Sequence, residues 1–136
     1  GTIAAFSDEW LQNSILNLPE FIQSPGIAQL QNKFKNRDAF VICAGPSLND
    51  SLELIKKQQH SCLIICVGTA LKPLLAAGIN PHITIIVDSD PIVYKQFEGI
   101  DSPPGYLLCS YTIFPGIVQK VHLSTKLWLC KVRGLV

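Results

Sequence analysis

Three short segments of this 136-residue chain combine residue types that could handle a phosphate-bearing ligand. In Ala44-Gly45-Pro46-Ser47-Leu48-Asn49-Asp50, Gly45 lets backbone approach a ligand, Pro46 suits a first helical turn, and Ser47 adds a hydroxyl beside free helix N–H groups. The bland alternative is an ordinary turn in which Ser47 or Asn49 caps the helix. Gly68-Thr69-Ala70-Leu71-Lys72-Pro73 repeats the order of glycine, hydroxyl and helix start, with Thr69 as ligand contact or simple cap and Lys72 as added charge or solvated surface. Asp88-Ser89-Asp90-Pro91 offers two carboxylates that could bridge a divalent cation, Mg or Mn, to a phosphate. Asp88 could equally orient a sugar hydroxyl or act as a base, and the pair could be no more than a capped turn.

Each segment directly follows an apolar run. The runs are residues 39–43, 62–67, 83–87, 106–109 and 127–130; they are rich in β-branched residues and do not alternate, which indicates strands covered on both faces. Between them lie helical stretches, Asn49 to Gln59 and Thr69 to Ala77, the second stopped by Gly78-Ile79-Asn80-Pro81. This alternation predicts an α/β fold, a Rossmann-like, doubly wound, mostly parallel sheet with flanking helices. Such sheets bind ligands beyond the carboxyl ends of their strands, where all three segments fall. Ahead of the sheet, residues 1–37 read as a helical segment of two short helices, with Ser7 as a cap and Pro19 and Pro25-Gly26 as interruptions. Residues 38–136 form the Rossmann-like domain.

Composition narrows the function classes. Eleven Lys+Arg against ten Asp+Glu give a net charge of +1, so no global basic field argues for nucleic acid or a membrane surface. With 48% hydrophobic and 15% charged residues and a mean hydropathy of +0.30, the chain is not disordered. No apolar stretch is long enough to span a membrane, and the expectation is a cytoplasmic protein. Cys43, Cys62, Cys66, Cys109 and Cys130 lie in or beside apolar runs without a C-x-x-C pair and read as buried reduced thiols. His60, His82 and His122 stand apart from one another, so zinc is not expected. The first loop is neither a P-loop nor a G-x-G-x-x-G fingerprint, so NAD is not expected either. After Asp101 only basic charges occur, Lys120, Lys126, Lys131 and Arg133, which read as a solvated face. Tyr94, Tyr106 and Tyr111 read as core or rim packing.

The stretches from Val41 to Leu48, from Val67 to Pro81 and from Val87 to Pro91 together resemble the DUF115 or MptE-like family. That family includes the bacterial motility accessory factor (Maf) flagellin glycosyltransferases and the archaeal 6-hydroxymethylpterin diphosphokinases. The resemblance covers about residues 38 to 115, and a fainter one extends to bacterial sialyltransferases. It implies a nucleotide-handling transferase. Its substrate would be a CMP-sugar, with a nonulosonic, sialic-acid-like sugar passed to Ser or Thr of flagellin, or ATP with Mg, with diphosphate passed to a hydroxymethyl pterin. The leading expectation is the Maf-type transfer; a nucleotide-binding module without catalysis is the third. Carried over by position, Gly45, Pro46, Ser47 and Leu48 face the phosphates with Gly68 and Thr69 beside them, and Asp88 and Asp90 contact metal or sugar, Asp88 being the catalytic candidate. Two features depart from the family pattern: Cys43 stands where a first glycine is usual, and no Gly-Gly-Ser-type segment precedes Val136. The domain is therefore expected to be incomplete at its C-terminal end.

Overall fold

Five short segments pair side by side in one sheet: β1 (Ala39–Ile42), β2 (Leu63–Val67), β3 (Ile83–Ile86), β4 (Tyr106–Cys109) and β5 (Thr125–Trp128). The structure, a computed structural model, describes residues 2–121 and 125–129, apart from the side chains at 2–6, 125 and 127. Every pairing is parallel and the strands lie in sequence order, β1 to β5. The register aligns Ile42 with Cys66, Val67 with Ile85, and Ile86 with Cys109, which brings the strand ends level. The α/β class, with a parallel sheet flanked by helices and preceded by a helix, is as expected from sequence; the doubly wound order is not adopted, because the strands follow one another in a single direction across the sheet.

Because each crossover steps the same way across the sheet, right-handed connections all fall on one face. The packing agrees. α2 (Pro46–Gln58) contributes Leu48 and Ile55, α3 (Gly68–Ala76) contributes Ala70, Leu71 and Leu74, the 3-10 segment Pro91–Phe97 contributes Val93 and Phe97, and α4 (Pro115–Lys120) contributes Ile117 and Val118. They cover Ile42, Ile64, Cys66, Ile86, Leu107, Cys109 and Trp128 of the strands in one core. Each aliphatic side chain so buried is worth about 1.5–3 kcal/mol. The opposite face has only a small cluster, Ile83 and Leu108 under Leu30 and Phe34, and leaves Val41 72% exposed. The expectation of strands covered on both faces thus holds for one face and only in part for the other.

Gly78 closes α3 as the sequence suggests. At φ +76° it lets its own N–H reach Leu75 O at 3.0 Å while Ile79 N reaches Leu74 O at 2.9 Å, the paired bonds of a Schellman cap.

The N-terminal segment differs from expectation. It is one 22-residue helix, α1 (Thr2–Gln23), followed by a short 3-10 turn, Ile27–Leu30; Ser7 lies inside the helix and Pro19 does not end it. Proline in a helix interior forfeits one backbone bond and costs about 3 kcal/mol. Here contacts on both sides of Pro19 keep the helix continuous. Asn13 and Asn17 bond to the loops after β3 and β4, Phe21 packs edge-on to Trp128 with ring centroids 5.5 Å apart, and Lys126 donates to Glu20 Oε1 at 2.6 Å. Beyond α1, Trp128 N bonds to Pro25 O at 3.1 Å, placing Pro25-Gly26 along β5.

Candidate functional site

α2 begins directly after β1, with Gly45 at its N-cap in extended backbone and Pro46 in the first turn. No side chain caps it, so the alternative of Ser47 or Asn49 as a mere cap is not what the chain adopts. Ser47 is exposed, and a Cβ on Gly45 would meet nothing within 4 Å, so the backbone stays open to an approaching group. Leu48 turns inward and anchors the loop in the core. α3 starts the same way at Gly68, again with no side-chain cap and with Thr69 exposed. Gly68 itself is buried because the Gln96 side chain occupies the place where a Cβ would sit. At α2 Pro46 has no N–H and Leu48 N donates to Gly45 O at 3.0 Å, so attraction for an anion there comes from the Ser47 N–H and the helix macrodipole, whereas α3 starts without a proline in its first turn.

After β3, Asp88 and Asp90 are exposed and Ser89 is buried between them. Asp88 Oδ1 accepts from Asp90 N at 3.0 Å, and Asp90 Oδ1 accepts from Ile92 N at 2.8 Å as the cap of the following 3-10 segment. The acid pair is therefore also a turn-builder. Among the described residues no group of three or more His, Cys, Asp or Glu side chains converges on a metal-sized space.

The three loops do not share one cavity. Gly68, Thr69 and Asp88 line a cavity of about 170 Å³ between the ends of β2 and β3, with Val67, Val87 and Gln96. Ser47 and Leu48 line another of about 340 Å³, beside Phe40, Ile42 and Ile55. With adjacent strands ~4.8 Å apart, the β1 and β3 ends lie about 10 Å apart, a span on the scale of a nucleotide's phosphates and sugar. A larger cavity, about 550 Å³, opens at the amino ends of the strands among Lys33, Phe34, His60, His82 and Tyr106. No helix N-terminus lines it, and His82 there accepts from Ile64 N at 2.9 Å, a structural role. The carboxyl ends of β1, β2 and β3 carry the two helix starts and the acid pair.

Sequence reasoning missed what covers the neighbouring strand ends. Asn13 Nδ2 donates to Ser89 O (3.2 Å) and Thr112 O (3.0 Å), and Asn17 Nδ2 donates to Tyr111 O (3.1 Å) and Ile113 O (2.8 Å). Trp10 Nε1 adds a bond to Ser89 Oγ at 3.2 Å. α1 therefore lies against the loops after β3 and β4 and leaves those after β1 and β2 open. The available signal was an Asn pair four residues apart, on one face of the helix.

Several side chains sit otherwise than expected. Lys126 is buried against Glu20 and Val118 O rather than solvated, and Lys120 lies over the Tyr94 ring at 4.8 Å. Lys72 stays exposed, as the surface reading has it, and donates to Lys95 O at 2.7 Å. Cys43 is exposed, a correction to the expectation of buried thiols, because it follows the last core residue of β1 into the open loop. Cys66 and Cys109 are buried, and desolvation pushes both thiols up, Cys109 to about 12 despite the opposing field of Lys126. His122, Cys130, Lys131 and Arg133 lie outside the described residues. Among the described residues no helix is long and apolar enough to cross a membrane.

Residues 12–133 match the family described as 6-hydroxymethylpterin diphosphokinase MptE-like. A solved structure, the Maf glycosyltransferase from Magnetospirillum magneticum AMB-1, superposes with a TM-score of 0.56 at 25% identity over 68% of this chain. The match spans 15% of that protein's length. No curated protein sequence matches the chain.

Proposed function

Because the chain belongs to the MptE-like family, we propose that it forms the nucleotide-handling part of a Maf-type transferase, one that moves a nonulosonic, sialic-acid-like sugar from a CMP-sugar to Ser or Thr of flagellin. The observation that carries this reading is the uncapped helix N-terminus at Gly68 opening on one cavity with Asp88, with a second uncapped helix N-terminus at Gly45 on the next strand end, on a fold shared with a Maf glycosyltransferase. In this reading the backbone from Gly45 to Leu48 and at Gly68 and Thr69 receives the phosphate, and Asp88 faces the sugar. Rate acceleration comes from positioning and from stabilising charge on the departing phosphate.

A Mg or Mn ion fits the acids. Asp88 and Asp90 each commit one oxygen to a backbone N–H and retain the other, and two carboxylates with substrate phosphates are a usual way to hold Mg. Bound there, the metal would neutralise phosphate charge. The family's description favours a second reading, an ATP- and Mg-dependent diphosphokinase acting on a hydroxymethyl pterin. In both readings the reduced thiols Cys66 and Cys109 suit the cytoplasm.

Thermal melting with CMP, CDP, CTP, ADP, ATP and GTP, each with and without Mg or Mn, separates these readings. A ligand at 100 times its Kd stabilises by about 2.7 kcal/mol, enough to raise Tm by roughly 10 °C in a chain of this size. Selective stabilisation by cytidine nucleotides supports sugar transfer, and Mg-dependent stabilisation by ATP supports the diphosphokinase. A Tm that moves with none of them overturns both for this segment and leaves a module without nucleotide binding.

A further inference from the structure

The first helix is inside out. α1 turns its asparagines toward the protein, with Asn13 7% and Asn17 2% exposed, and turns aliphatic side chains toward water, with Leu11 63%, Ile15 61% and Leu18 49% exposed and Ile22 at 43%. At about 100° per residue, Leu11, Ile15, Leu18 and Ile22 fall within about 60° of one another, on the side opposite Asn13 and Asn17. Their spacing of four, three and four residues is the a/d seam of a two-helix contact, with Ile at a and Leu at d. Ordinary surface helices carry the reverse pattern.

We infer that this stripe is the docking face for the same helix of a second copy of the chain, the two α1 helices lying antiparallel about a twofold axis. The stripe is self-complementary in that arrangement. Leu11 meets the partner's Ile22 and Ile15 meets the partner's Leu18, so each layer pairs one Leu with one Ile. Charge points the same way. The positions flanking the seam, Gln12, Ser14, Pro19 and Phe21, carry no charge, so two copies approach without repulsion. A parallel pair would instead set Asp8, one heptad before Ile15, against its own copy; the antiparallel pair separates them and opposes the two helix dipoles favourably. Since hydrogen bonds and the Glu20–Lys126 pair already hold α1 in place, association spends little on ordering it. A contact along a helix about 33 Å long belongs at the low end of interface size, under about 1,200 Å² in total, so the dimer forms and dissolves with concentration.

Sedimentation equilibrium of the chain from about 5 to about 500 μM, the range over which small interfaces dissociate, tests this. The mass should rise from 14.9 kDa toward twice that value, and Ile15→Lys should hold it at the monomer mass with an unchanged circular-dichroism melt, because the side chain faces water. Adding Leu18→Glu to Ile15→Lys should restore the dimer, since positions 15 and 18 of opposite copies oppose each other only in the antiparallel pairing. A wild-type chain that stays monomeric throughout, or an Ile15→Lys chain that dimerises as well as wild type, overturns the inference. A double variant that stays monomeric while wild type dimerises overturns the antiparallel arrangement.

Discussion

Lys126 of β5 and Glu20 of α1 form an ion pair at 2.6 Å across 106 residues of sequence, the lysine side chain 6% exposed and the glutamate 36%. Its second acceptor is Val118 O at 3.3 Å. The pair joins the helix that precedes the sheet to the last described strand. Removing the carboxylate in Glu20→Ala leaves a buried ammonium with one carbonyl partner. Breaking a fully buried pair costs about 3–5 kcal/mol and an exposed one under about 1; this half-exposed pair should cost about 2 kcal/mol. Urea melts of wild type and Glu20→Ala measure it, and equal midpoints would mean that water and Val118 O satisfy Lys126 alone.

Asn17 does for the loop after β4 what Glu20 does for β5. Its amide serves Tyr111 O and Ile113 O while the residue is 2% exposed, so Asn17→Ala leaves two carbonyls to be solvated in a confined space. The expected loss is about 2–3 kcal/mol. The signature is local: amides of α1 and of residues 110–113 should exchange faster with deuterium while those of β1 and β2 keep their protection. Uniform acceleration across the sheet would show that α1 and the sheet open as one unit.

The sheet and its crossovers were legible because their signals are local. β-branched runs, Gly78 as a helix stop and the glycine-hydroxyl helix starts each declare themselves within a few residues. α1 was not legible, since whether Pro19 breaks a helix depends on partners about 90 to 110 positions away, Ile113 for Asn17 and Lys126 for Glu20. The same distance hid the fate of Lys126. Of the site, the loops and their order on the sheet edge could be read, whereas the division of Ser47 and Asp88 between separate cavities could not, because cavity shape depends on Leu48 and Ile55 in the packed core and on the half-buried Gln96.

Cys109 makes stability fall at alkaline pH. Its thiol is raised to about 12 in the folded chain against 9.0 as the ordinary value, chiefly by burial. Between those values the unfolded chain has lost the proton that the folded chain keeps, so the contribution is complete below about pH 9 and is lost as pH rises toward 12, at up to about 1.4 kcal/mol per pH unit. Cys66, raised in the same direction, adds to the slope. Urea melts between pH 8 and about 11 should show the decline, and Cys109→Ala should flatten part of it while lowering stability at neutral pH through lost packing. A slope unaffected by the substitution would assign the alkaline loss to other groups.

Gly105, immediately before β4, has φ +71°, and a Cβ there would come within 2.7 Å of the His82 carbonyl carbon. Backbone cannot yield as a side-chain tip can, and the left-handed conformation adds its own strain. Gly105→Ala should destabilise by more than about 2 kcal/mol. Gly45→Ala, at an open extended position, should change stability by less than about 0.5 kcal/mol, so a nucleotide-binding loss in Gly45→Ala would report on ligand approach alone. Differential scanning calorimetry orders the two variants; a Gly45→Ala protein as unstable as Gly105→Ala would make the first loop a structural turn.

Asp88 separates a ligand contact from a turn-builder. Asp88→Asn keeps an Oδ1 acceptor for Asp90 N, so the loop survives, while the charge that would hold a cation is gone. Stability should change by less than about 0.5 kcal/mol. Metal-dependent stabilisation by whichever nucleotide raises the wild-type Tm should fall at least about tenfold in apparent affinity, the equivalent of 1.4 kcal/mol. Asp88→Ala, which also removes the acceptor, should lose both the ligand response and the turn. If Asp88→Asn melts several degrees lower but binds nucleotide and metal as wild type does, the carboxylate serves the fold, and the phosphate contacts rest on the α2 and α3 N-termini without it.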